Sequence, residues 1–236
     1  ATRELFVVID QTTALDPKLI DSMSRKIADY LATGPSRVTV ASFSANTAAS
    51  FATIDFTGEA EGPVAQDRRN SVNARKLAEL DKCLANRPRE LAARTDAEVR
   101  NIAKSDSGTY ENSEILGSLT QLSEAVAASP AGEKTVLVVS DMLEHSSTTS
   151  FYADKAIREL DVETELRKAA DRQQLGDFGG AKIVVMGAGL LPPESPAAAT
   201  RDAAKLSKLR SFWENWFANS NSQVAAFGQP DLMVGL

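Results

Sequence analysis

The apolar run Leu5-Phe6-Val7-Val8-Ile9 leads directly into Asp10, and a second run, Val136-Leu137-Val138-Val139, passes through Ser140 into Asp141. Runs this short and this uniformly apolar suit parallel strands buried on both faces. A sheet made of such strands needs helices on both sides, and open α/β sheets gather ligands at the carboxyl ends of their strands. Both aspartates are thereby aimed at one edge.

The rest of the chain alternates strand and helix. Asp16-Pro17 supplies a helix cap followed by proline at the first helical position. Leu19, Met23, Ile27 and Leu31 then step along one face until Gly34-Pro35 stops the helix. Val38 to Phe43 and Ser50 to Phe56 read as strands joined by a short polar link through Asn46, which permits only an antiparallel hairpin. One antiparallel strand is therefore expected at a sheet edge. Residues 58–107 read as a polar helical elaboration that Pro88 breaks or kinks into two helices. After a loop over 106–112, a helix carries Ile115, Leu119, Leu122 and Val126 on its buried stripe. The Asp141 strand is followed by a charged helix from about Ala153 to Gln174 and a strand from Lys182 to Met186. The pattern closes with a proline-marked loop, a helix bearing Leu206, Leu209, Trp213 and Trp216 on one face, and a strand from Gln223 to Phe227. No repeat or long linker divides it, so one α/β domain over 1–236 is expected.

Composition narrows the function. With 236 residues, 43% hydrophobic and 25% charged, the chain can bury one substantial core. No apolar stretch approaches the roughly 20 residues that span a bilayer. The net charge of −6 is uneven, with ten basic and six acidic residues between Asp67 and Lys104. Leu77, Leu80 and Leu84 at helical spacing there mark an amphipathic helix with a solvated charged side. An acidic chain without aromatic and basic residues interleaved lacks the footprint of a nucleic-acid binder. The single Cys83 cannot form an internal disulfide and reads as a buried structural thiol. Ala1 in place of methionine is compatible with a processed end, which leaves cytoplasmic and exported locations both open.

Asp10-Gln11-Thr12 sets a hydroxyl two residues after the acid, and magnesium takes such carboxylate, hydroxyl and water oxygens in an octahedral shell. These residues, together with the element order over nearly the whole chain, resemble the von Willebrand factor A-like family. That family binds a divalent ion through a D-x-S-x-S motif after its first strand, a threonine before a central helix, and an aspartate after the following strand. The resemblance implies a three-layer α/β/α, Rossmann-like fold around a mostly parallel sheet. It also implies a magnesium or similar divalent site made by Asp10, Thr12, Asp141 and either Ser113 or Thr109. Ala14 replaces the second hydroxyl of the first motif, so the implied site is incomplete and weakened. The function implied is a non-enzymatic module that binds an acidic group of a partner protein. Its partner-facing residues would be Asp10, Thr109, Ser113, Asp141 and His145.

Other readings follow from the same residues. Asp10 and Asp141 can cap loop amides with no ion at all, which leaves a structural assembly component with an inert cleft. The stretch Asp10-Gln11-Thr12-Thr13 also looks something like the aspartate-threonine loop of haloacid dehalogenase-like phosphotransferases. Asp10 would there be the nucleophile, Ser140 a phosphate holder and Asp141 a magnesium ligand. Thr12 in place of a second acid and the early hairpin count against that reading. His145 alone cannot build a zinc site and is expected on an exposed loop. Gly187-Ala188-Gly189 runs into prolines where a dinucleotide-binding helix would begin, and Phe212, Trp213, Trp216 and Phe217 read as core.

Overall fold

A computed structural model describes residues 2–13, 15–47, 50–104, 112–153, 156–191 and 202–236. Strand β1 (Arg3–Asp10) is followed by α1 (Pro17–Ala32), the pair β2 (Ser36–Thr47) and β3 (Ser50–Ala60), and three helices, α2 (Gln66–Arg69), α3 (Ala74–Lys104) and α4 (Ile115–Ala128). Next come β4 (Glu133–Val139), a small hairpin of β5 (Tyr152–Ala153) and β6 (Ala156–Ile157), α5 (Val162–Asp171), β7 (Ala181–Met186), α6 (Ala203–Asn219) and β8 (Ser222–Phe227). The main sheet has the order β3-β2-β1-β4-β7-β8. β1 runs parallel to both β2 and β4, and only β3 is antiparallel to its neighbour, at the edge. This is the mostly parallel sheet with one antiparallel edge strand that the sequence implies.

Alternation along β1 divides the core. Leu5, Val7 and Ile9 pack with Leu19, Met23, Ile27 and Leu31 of α1 and with Val99 and Ile102 of α3. Phe6 and Val8 turn to the opposite face, against Leu119 and Leu122 of α4 and Trp213 and Trp216 of α6. Helices thus cover both faces, which leaves the strand ends as the exposed rim. α1 starts as expected, with Asp16 accepting the amide of Lys18 at 2.7 Å and proline in the first turn. On the other face Phe212, Trp213, Trp216 and Phe217 are buried edge to face, and the Trp213 indole N–H donates to the Met142 carbonyl at 2.8 Å. Among the described residues no helix is long and apolar enough to cross a membrane.

Five sequence expectations are corrected. Pro88 does not divide its segment, because α3 runs unbroken through it. The proline leaves the Leu84 carbonyl without its amide donor, and that turn lies at the surface, where water can replace the bond. The stripe Leu77, Leu80 and Leu84 is not buried: Leu80 is 40% exposed, and α3 buries nothing before Leu91. Cys83, on the same overhanging half, is exposed rather than a core thiol. The helix expected from about Ala153 begins only at Val162, because Asp161 caps it by accepting the Thr164 amide, and the residues before it form the β5–β6 hairpin. β3 also extends to Ala60 and so takes over the first residues read as helical.

A proline inside a helix costs up to about 3 kcal/mol through the lost hydrogen bond and ring contact. Pro88→Ala is therefore expected to stabilise the protein by about 1–2 kcal/mol. Urea unfolding would measure this, and a loss of stability would mean that the Pro88 ring is needed in the surface cavity that it lines with Leu84 and Pro63.

Candidate divalent-cation site at the strand ends

Asp10 ends β1, and Asp141 follows the end of the adjacent parallel strand β4, so residues far apart in sequence meet at one rim. Asp10 is only 1% exposed. Its Oδ1 accepts the Thr12 amide at 2.9 Å and the Thr12 hydroxyl at 2.5 Å, while Oδ2 accepts the hydroxyls of Ser140 at 2.7 Å and Thr13 at 3.1 Å. Thr13 bridges the two acids, since its hydroxyl oxygen also accepts the Asp141 amide at 3.1 Å. Asp141, 7% exposed, accepts the Leu143 amide on Oδ1 at 2.8 Å and the Tyr152 hydroxyl on Oδ2 at 2.9 Å.

Ser113 enters from the loop before α4. Its backbone forms a two-way bridge with His145, by bonds of 2.8 and 3.0 Å, and its hydroxyl lies 2.9 Å from that of Thr12. Adjacent oxygens of an octahedral shell with magnesium–oxygen bonds of about 2.1 Å stand about 3 Å apart, so this hydroxyl pair has the spacing of two neighbouring ligands. His145 is half-buried rather than fully exposed, and its Nδ1 lies 2.8 Å from the Ser150 hydroxyl. Thr109 and Ala14 lie outside the described residues.

The electrostatics favour a positive guest. Burial raises the Asp10 carboxyl above the usual carboxylate range, against the pull of its hydroxyl and amide donors. Burial and then the charge of Asp10 push Asp141 up to about 8, and burial also raises the Tyr152 phenol. Among the described residues, none of the leading influences on either carboxylate is a Lys, Arg or His. A third acid, Glu144, is fully buried with its carboxylate at the start of α4, where one oxygen accepts the Leu116 amide at 2.9 Å. Burial pushes Glu144 up to about 8 as well. No group of three or more His, Cys, Asp or Glu forms a metal cluster among the described residues. The donor set is instead two carboxylates with hydroxyls, which fits a hard cation and not zinc.

Sequence reasoning brought Asp10, Thr12, Ser113 and Asp141 to the right edge but missed several neighbours. Thr13 was hidden by its apparent role as a spacer, and Tyr152 by the reading of its segment as the run-up to a helix. Gly187 and Gly189 also belong to the rim. Both have positive φ, of 94° and 73°, and the Gly189 amide donates to the Asp141 carbonyl at 2.8 Å. A Cβ at Gly187 would stand 2.9 Å from the Ser140 carbonyl oxygen, so a side chain there would displace the site loop.

No family model matches the chain, and no curated protein matches it. Solved structures do. An aerotolerance-related membrane protein from Bacteroides fragilis, carrying multiple mutations to serines, is 10% identical over 97% of this chain and 91% of its own, with a TM-score of 0.41. A von Willebrand factor type A protein from Catenulispora acidiphila is 12% identical over 93% of this chain and 43% of its own, with a TM-score of 0.38. The sheet order, the edge hairpin and the two helical layers themselves make a three-layer α/β/α fold around a mostly parallel sheet, the architecture that the resemblance noted in the sequence implies.

The raised carboxyls make stability depend on pH. A group whose folded pKa exceeds its unfolded value stabilises fully below the unfolded value, and that contribution is lost as pH rises through the folded one. For Glu144 the window runs from the ordinary glutamate value of 4.5 up to about 8. In the presence of a chelator, stability is expected to fall across that window by about 1.4 kcal/mol per pH unit for each titrating group. Glu144→Gln should make the profile shallower. Urea denaturation at several pH values checks this, and an unchanged slope in the variant would rule out Glu144 as a contributor.

Proposed function

We propose that the chain is a non-enzymatic protein-interaction module that presents a divalent cation, of the magnesium or manganese class, to an acidic group of a partner protein. Asp10, Thr12, Ser113 and Asp141 would hold the cation directly or through water, and Thr109 is the alternative to Ser113. His145 and Thr109 belong to the partner-facing rim. When bound, the cation would neutralise the buried acids and keep one exchangeable position for a partner carboxylate.

The observation that carries this reading is the uncompensated pair of buried carboxylates beside two hydroxyl oxygens at ligand spacing. Two ionised carboxyls removed from water with no positive partner are costly, and a cation relieves that cost directly. The phosphotransferase reading is disfavoured by the same hydrogen bonds. A nucleophilic carboxylate needs an oxygen free to attack, whereas each oxygen of Asp10 accepts two donors, so that within this hydrogen-bonded frame Asp10 would reach a cation through water. Ser140 is likewise engaged, since it donates to Asp10 and accepts the Met142 amide.

Calorimetric titration with manganese or magnesium tests the proposal. The protein should bind one divalent ion, Asp141→Ala should weaken that binding, and Ala14→Ser should strengthen it about tenfold by supplying a further oxygen. A flat titration for both the parent and Ala14→Ser would favour the inert cleft.

A further inference from the structure

Tyr152 covers Asp141. Its phenol donates to Asp141 Oδ2 at 2.9 Å, and the Leu143 amide takes the other carboxylate oxygen. The backbone under Tyr152 is firmly held. Phe151 is fully buried against Phe212 and Trp213, and its amide donates to the Glu144 carbonyl at 2.7 Å. Arg158 binds the Ser150 carbonyl at 2.8 Å and the Glu165 carboxylate at 2.6 Å, which ties the hairpin to α5. The Tyr152 ring lies half-buried against the edge of the core and meets the His145 ring edge on at 6.0 Å, while its hydroxyl reaches out to Asp141. With the backbone held, the hydroxyl can leave Asp141 only by rotation of the side chain about its own bonds.

We propose that Tyr152 gates the Asp10–Asp141 site, its hydroxyl standing where a cation-bound oxygen would meet Asp141. The proposal rests on the divalent-cation reading. Loading requires the ring to turn away while the β5–β6 hairpin stays in place. Breaking an O–H bond to a carboxylate is unfavourable, so the tyrosine lowers cation affinity. The device also links entry to recognition, because the turned ring uncovers the position beside Asp141 at which a bound cation would meet a partner carboxylate.

Tyr152→Phe keeps the ring and removes only the hydroxyl. Manganese binding would be measured for both proteins by calorimetry and by the paramagnetic signal of the free ion, with tyrosine difference absorbance recorded alongside. The variant is expected to bind about tenfold more tightly. The parent should show a tyrosine difference spectrum on saturation that the variant lacks. Binding only by the variant would support both the gate and the cation site. A parent that binds manganese as well as or better than the variant would overturn the gate and leave the cation site standing. No binding by either protein would overturn both.

Discussion

The buried carboxylate of Asp10 is the constraint around which the rim is organised. Taking that charge out of water is affordable only because four donors reach it, and these come from both the turn after β1 and the end of β4. Two donors serve twice. Thr13 also receives the Asp141 amide, and Ser140 receives that of Met142, so the loops after the two central strands form a single hydrogen-bonded unit. Such a network is stabilising only when complete, since any missing member leaves a buried polar atom unpaired.

The central sheet was legible because its strands are buried on both faces and leave uninterrupted apolar runs. The edge hairpin was legible because its link is too short for a crossover. Asp10 and Asp141 followed from the same logic, as the residues immediately beyond two such runs. Other features depended on competition that a linear pattern does not show. Pro88 reads as a breaker only if its turn is buried, and the exposure of the first half of α3 removes that condition. Ala153 to Glu159 has helical composition, yet the Asp161 cap fixes the start of α5 further on and frees the preceding residues to pair. Tyr152 was out of reach for that reason, since its contact with Asp141 exists only once the hairpin forms.

The apical chemistry separates into groups with distinct duties. Glu144 serves structure, joining the start of α4 to the loop behind Asp141. Asp10 and Asp141 present the electrostatic deficit, while Thr12 and Ser113 add neutral oxygens from two different loops. No one of these residues is distinctive alone. The arrangement arises because parallel strands deliver all their following loops to one edge.

The Trp213 bond to the Met142 carbonyl and the Gly189 bond to the Asp141 carbonyl fasten one side of the rim to the α6 layer and to the turn after β7. On the other side, Ser113 meets Thr12 through a single hydroxyl contact. Since the Ser113 backbone is itself bridged to His145, the compliant half of the rim is the seam between Ser113 and Thr12, and the remainder is the stiff half. A molecule that docks on the stiff half meets a surface already ordered and loses little configurational entropy there. One that reaches across to Ser113 must also immobilise the compliant half, so its affinity would weaken more steeply with warming.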